Sequence, residues 1–399
     1  MANQTPQSHR TPLSNRLHYG LQILAKTGFS RHPAPLCPHF GNPPVLRPHA
    51  LTRELQTETL TAFEFTSATG GSQPHSFVFV GGLGDGLATT SYLADVVQGL
   101  LPTEWSLFSP TLSSAYQGWG FSHLDRDTDE IAQCIRYIQD YKKAKFGTSG
   151  KIVLMGHSTG SQSVLHYLSR PNPHTTKPAF DPYLEHVERP AVDGALMQAP
   201  VSDREAILSL LRDGFLGKLP AELRETYTKL VTMAKKGLHQ DGEYDCMLPV
   251  SLTSQFGYSV NTPISCRRFL SLVSPDSPRA PGSDDMFSSD LAEEELQKTF
   301  GMVRQRGLLK TKLAVLMSGA DQAVPDWVDK EKLLEKWKGV ADGNGESPAW
   351  DSEYSGIIPG ASHALSNDDQ AEARQWLVKR ILAYLSTVAE PTEYELVSS

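Results

Sequence analysis

The sequence predicts an α/β protein: a mostly parallel, doubly wound sheet with helices on both faces and one helical insertion. Two patterns carry that expectation. From about residue 59, short β-rich runs alternate with stretches of helical apolar spacing. Between Ala199 and Leu308, about a hundred residues of helical segments and Pro/Gly/Ser loops show no clear sheet strand, which reads as a functional cap or lid. The 399 residues can bury a large core without a disulfide or metal staple.

The strands are expected at Thr59–Phe65, Ser76–Val80, Trp105–Phe108, Ile152–Met155, Ala195–Gln198, Leu313–Met317 and Tyr354–Ile358. Tyr92, Leu93, Val96, Val97, Leu100 and Leu101 form one helical stripe, and Ile131, Cys134, Ile135, Ile138 and Tyr141 another. A last helix opens at Ser366, read as its N-cap, and buries Trp376, Leu377, Ile381, Leu382 and Leu385. The domain reading is an extension over 1–37, a core over 38–199 and 309–388, a cap over 200–308 and an acidic tail over 389–399.

Charge separates the N-terminus from the rest. The first 53 residues hold no Asp or Glu and six basic residues, leaving 31 basic and 45 acidic residues, or −14, on the remainder. Acid-free, Arg-bearing N-termini resemble organelle transit peptides. A loose extension followed by an edge strand is preferred, because the amphipathic stretch Leu17–Leu24 is short. A net charge of −8 argues against a nucleic-acid surface as the main business. No apolar run reaches the ~18 residues of a membrane span. Cys37, Cys134, Cys246 and Cys266 lack metal-ligand spacing, and the expected compartment is the reducing cytoplasm.

The chemistry-bearing residues come in four pieces. KIVLMGHSTGSQ (151–162) is an apolar strand, a Gly-x-Ser-x-Gly turn and a helix, which makes Ser158 the expected nucleophile. His157 beside it is read as packing or substrate-facing. SFVFVGGLGDGL (76–87) ends a strand in glycines, where backbone amides of Leu83 and Thr159 would stabilise an oxyanion and Gly82 would line the substrate. A dinucleotide loop is the weaker reading, since these glycines do not form G-x-G-x-x-G. Asp321, just past the strand in LAVLMSGADQAVP, is the expected acid, with Asp326 and Asp203 as rivals and Asp203 more simply a helix N-cap. His363, in GIIPGASHAL ahead of the last helix, is the expected base. The order Ser158, Asp321, His363 is that of the α/β-hydrolase architecture.

At that point the chain resembles an α/β-hydrolase. More narrowly, VGGLGDGL, GHSTGSQ, LMQAPVSDREA, GYSVNTPISCRRFLSL and DDMFSSDL resemble a fungal hydrolase family of formerly unknown function that includes intracellular siderophore esterases. The resemblance covers roughly residues 38–388. It implies hydrolysis of an ester-linked hydroxamate siderophore of the fusarinine type, no cofactor, and a small-molecule partner that brings its own ferric iron. In the insertion, Phe256, Tyr258, Phe269, Leu270, Leu272 and Met286 are the expected apolar contacts, and Arg267 and Arg268 the expected donors. Another ester, lactone, thioester or peptide bond, and a non-catalytic binding protein, remain as alternatives.

Overall fold

The computed structural model describes residues 50–54, 60–67, 71–175, 178, 180–240, 245–343 and 348–390. The first strands are β1 (Ala50–Glu54), β2 (Thr61–Phe65) and β3 (His75–Val80). Helix α1 (Leu93–Leu100), β4 (Trp105–Thr111) and α2 (Leu124–Phe146) follow, and then β5 (Ile152–His157), α3 (Thr159–Ser169) and β6 (Gly194–Gln198). The long excursion holds α4 (Asp203–Asp213), α5 (Pro220–Gln240), β7 (Met247–Leu248), α6 (Val250–Thr253), β8 (Ile264–Ser265), α7 (Cys266–Val273), α8 (Glu293–Gln297) and α9 (Met302–Gln305). The chain then returns through β9 (Leu313–Ser318), α10 (Lys330–Asp342), β10 (Gly356–Ile358) and α11 (Ala371–Ala389).

The main sheet has the order β1-β2-β4-β3-β5-β6-β9-β10. Its six strands from β4 to β10 are parallel, and only the β1–β2 and β2–β4 pairs are antiparallel. Strand β3 is the point where the order reverses, with β4 on one side and β5 on the other. The loops leaving the ends of β3 and β5 therefore diverge and open a crevice, where ligands bind in such sheets.

Because side chains alternate across a strand, the central strands feed two cores. Val78, Leu154, Met197 and Val315 pack on α2, α3 and α10, whereas Phe77, Val153, Leu196 and Leu316 pack on α1 and α11. That is why these strands read as continuous apolar runs instead of alternating ones.

The excursion divides. Residues of α4, α5 and α7 enclose a third core around Leu223, Leu230, Phe256, Tyr258, Phe269 and Leu272. Residues 286–308 do not join it; Met286, Phe287, Leu296 and Phe300 belong to the main core, where the rings of Phe287 and Phe300 pack on Trp337. Met286 is thus a core residue and not a substrate contact. Strands β7 and β8 form a short antiparallel ladder that the sequence did not reveal.

One further expectation changes. Ser366 does not cap the last helix. A 3-10 turn over Asp368–Gln370 intervenes, and the Gln370 side chain instead accepts from Ser362 N at 2.6 Å. Strand β1 does stand at the sheet edge. The 1–37 extension, and the tail from 391 onward, lie outside the described residues.

A buried cation ties β2, β4 and α2 together. Lys142 Nζ donates to Glu64 Oε1 at 2.7 Å, Gln73 O at 2.6 Å and Ser106 Oγ at 2.8 Å, with none of its side chain exposed. Burial raises the Glu64 carboxyl, yet Lys142, Tyr141 and Ser106 together hold it below its ordinary value. Removing one partner of such a pair strands the other charge. Lys142→Ala should therefore cost about 3–5 kcal/mol in urea unfolding, and Lys142→Met combined with Glu64→Leu clearly less.

Candidate active site

The first component is a backbone turn. Strand β5 ends at His157 and α3 begins at Thr159, so Ser158 alone makes the reversal, with φ 53° and ψ −123°. A residue other than glycine held there is strained by on the order of 1–3 kcal/mol and needs its surroundings to hold it. Two hydrogen bonds do so: Ser158 N donates to Gln198 O at 2.9 Å, and Ser161 N to Ser158 O at 2.9 Å. The flanking glycines are steric requirements. A Cβ on Gly156 would lie 2.2 Å from Gly160 O, and one on Gly160 would lie 2.3 Å from Val80 O.

Asp321 follows β9, and its Oδ1 accepts from Ala323 N at 2.9 Å, which fixes the carboxylate. His363 lies on the loop after β10, where its backbone N–H donates to Gln322 Oε1 at 3.1 Å. Ser91 anchors the same loop from α1's approach by donating to Ala364 O at 2.7 Å. The outcome is a continuous chain: Ser158 Oγ is 2.8 Å from His363 Nε2, and His363 Nδ1 is 2.8 Å from Asp321 Oδ2. All three residues are less than 10% exposed. Burial alone would lower the His363 pKa, but the charge and hydrogen bond of Asp321, with Asp85 and Asp203 behind them, raise it above the ordinary value. Chemically, the arrangement can pass a serine proton to a nearby imidazole base and stabilise the imidazolium that results.

The glycine loop after β3 runs against the serine. A Cβ on Gly82 would be 2.7 Å from Ser158 Cβ and 3.3 Å from its Oγ. Gly82's own amide is taken by Asp85 Oδ2 at 2.8 Å, and Asp85 is itself held by Thr89 and Thr90. The amides of Leu83 and Thr159 have no protein acceptor among the described residues. Both are free to donate to an oxygen on a bound carbonyl.

Not every expected site residue faces this crevice. His157 is 2% exposed and points behind the elbow, where its Nδ1 lies 2.5 Å from Gln198 Oε1. Burial and the neighbouring His363 push its pKa well down, so it stays neutral and serves packing. Arg267 stacks on Phe180 at 4.0 Å and lines a separate cavity of about 370 Å³ that includes none of the three chain residues. Arg268 is buried against Asp284 and Trp119 O. Tyr258 is different: its ring belongs to the third core, 5.4 Å from Trp119 between centroids, but that core also takes in Leu83 of the glycine loop, so Tyr258 stays beside the crevice.

The rival acids also have other partners. Asp326 is exposed and bonds Arg212 at 2.7 Å. Asp203 is not the N-cap of α4; Ser202 is, accepting from Glu205 N at 3.0 Å. Asp203 instead accepts from Gln162 Nε2 at 2.8 Å, and burial raises its pKa to about 6. Sequence reasoning passed over Gln198 and Trp119, which reach the site only through tertiary contacts, and Asp85, which lies in the glycine loop itself and holds the Gly82 amide three residues away.

The family described as "Protein of unknown function (DUF1749)" matches residues 46–386. The chain belongs to that family. It is 62% identical to fusarinine C esterase sidJ of Aspergillus fumigatus over 84% of this chain and 95% of that protein. An esterase of Emericella nidulans is 49% identical over 83% and 91%. The solved structure of siderophore hydrolase EstB from Aspergillus fumigatus aligns with a TM-score of 0.78 at 57% identity, covering 87% of this chain and all of that one. The fold is that of the α/β hydrolases, and within this family the chain is an esterase. Among the described residues, no helix is long and apolar enough to cross a membrane.

The contact between Gly82 and the serine gives a direct check. Gly82→Ala should keep the overall fold, because the clash is local: the added methyl meets Ser158 Cβ and, at 3.1 Å, His157 O, so the glycine loop and the elbow must part slightly. It should nevertheless displace the Ser158 hydroxyl and lower kcat for any ester by roughly 10²-fold. Steady-state kinetics beside a circular-dichroism melt measures both.

Proposed function

We propose that this chain hydrolyses an ester-linked hydroxamate siderophore of the fusarinine type in the cytoplasm, through Ser158, His363 and Asp321. The observation that carries the reading is the unbroken Ser158–His363–Asp321 chain in a protein 62% identical to a named fusarinine C esterase. The free cysteines Cys134, Cys246 and Cys266 are in keeping with a reducing compartment. The partner is a small-molecule ester, and the acidic net charge gives nucleic acid no footing.

In this reading Ser158 Oγ attacks the ester carbonyl carbon while His363 Nε2 takes its proton. Asp321 keeps the proton on His363 Nδ1 and balances the imidazolium. The carbonyl oxygen gains negative charge and is held by the amides of Leu83 and Thr159. His363 then protonates the leaving alkoxide, giving an acyl-enzyme on Ser158. Water, activated by the same imidazole, attacks that ester and releases the acid. The iron is cargo; cutting the ester backbone converts one polydentate ligand into separate arms that hold it less tightly.

Incubation with ferric fusarinine C, followed by mass spectrometry, should show addition of water and linear hydroxamate fragments. Ser158→Ala should lower kcat by about 10⁴-fold or more without unfolding the chain. Intact substrate with the wild-type enzyme would overturn the substrate, and substantial activity in the alanine variant would overturn the nucleophile.

The base has a pH signature. His363 must be neutral to accept the serine proton, and its pKa is raised above 6.5. kcat/KM should therefore fall as pH drops through a value above 6.5. In Asp321→Asn the raising carboxylate is gone while burial remains, so the acid limb should move to lower pH. The plateau should fall about 10⁴-fold, as the wrong imidazole tautomer becomes favoured.

A further inference from the structure

We propose that Trp119 and Tyr258 form a recognition pair that donates hydrogen bonds to neutral acceptor oxygens, such as an amide or hydroxamate carbonyl, on the acyl arm of the bound ester. The inference rests on the esterase reading above and names the substrate chemistry of the same site.

The two rings are each 5% exposed and lie 5.4 Å apart, in the apolar cluster that also receives Leu83 from the glycine loop. They are therefore packed beside the loop whose Leu83 amide faces the site. Trp119 Nε1 is 3.8 Å from where a Cβ on Gly84 would stand. The pair thus borders the crevice on its oxyanion side, through Leu83 and Gly84.

Their polar ends are unused. Neither Trp119 Nε1 nor Tyr258 Oη has a hydrogen-bond partner among the described residues. Neither atom is sealed from solvent, in contrast to Trp337 Nε1, which is enclosed in the main core without a partner. A buried ring with one open polar end is suited to bind an arriving acceptor, since its apolar body is already fixed. The rings are also held in place: Trp119 O accepts from Arg268 Nε at 3.1 Å, and a Cβ on Gly120 would be only 1.9 Å from Pro263 O.

Two features select the ligand. Both groups are neutral donors, and burial keeps the Tyr258 hydroxyl protonated, so they complement a carbonyl oxygen. Asp85, Asp203 and Asp321 all lie in the electrostatic surroundings of His363 and disfavour an anionic arm. The arm is the acyl one, because the leaving alcohol must stay beside His363 Nε2 to be protonated, whereas Trp119 stands on the Leu83–Gly84 side.

The test compares two activated esters of equal chain length, p-nitrophenyl 4-acetamidobutanoate and p-nitrophenyl heptanoate, which differ by an amide in the acyl arm. Trp119→Phe and Tyr258→Phe should each lower the acetamido-to-heptanoate ratio of kcat/KM by about tenfold, the worth of one hydrogen bond. Cleavage of ferric fusarinine C should fall with that ratio. Tyr258→Phe removes a single oxygen, so it keeps the test open if Trp119→Phe melts early. An unmoved ratio in the folded variants, or heptanoate activity falling in step, would overturn the pair. A shifted ratio in a protein that leaves ferric fusarinine C intact would support the pair and overturn only the siderophore assignment.

Discussion

The site depends on one close approach of backbone to backbone. The end of β3, the elbow at Ser158 and the first turn of α3 are packed so tightly that side chains are excluded at Gly82, Gly156 and Gly160. That contact holds Ser158 at φ 53° and sets the glycine loop against its hydroxyl. The strain at Ser158, on the order of 1–3 kcal/mol, is small beside the two buried cores of the sheet. A sheet stiff enough to bear it is what allows a hydroxyl to be presented at the mouth of a crevice.

Two histidines show how position decides chemistry. Their ring centroids are 5.2 Å apart, and both are almost fully buried. His157 faces the amide of Gln198, which offers no charge, so burial prevails and its pKa falls. His363 faces the Asp321 carboxylate, whose attraction outweighs the same burial, so its pKa rises. Each also disfavours charge on the other, so a neutral His157 leaves His363 the one better able to accept a proton.

The long excursion does two jobs with one stretch of chain. Its first part, through α7, encloses a separate apolar core that reaches back to Trp119 and Leu83. Its later part, 286–308, fills the space between α3 and α10 and supports the sheet. Excising Gly257–Leu272 would therefore remove Tyr258, Phe269 and Leu272 from the middle of that separate core, and would not simply open a lid.

Short-range pattern in the chain was enough to reveal the α/β class, the seven core strands and the local setting of Ser158, Asp321 and His363. Apolar runs, glycines around a serine and a loop residue after a strand are each legible within about ten residues. It also pointed to the glycine loop, since four glycines close behind a strand have few other uses. What lay beyond it were contacts between residues far apart in the chain. Gln198 meets His157 across 41 residues and Arg268 meets Trp119 across 149. Arg267 and His157 turned away from the crevice for the same reason: neighbouring residues in sequence point to different surroundings once strands and helices pack. Periodicity tells which residues are buried, but only the tertiary structure decides what each buried polar atom faces, and that partner sets its charge and its role.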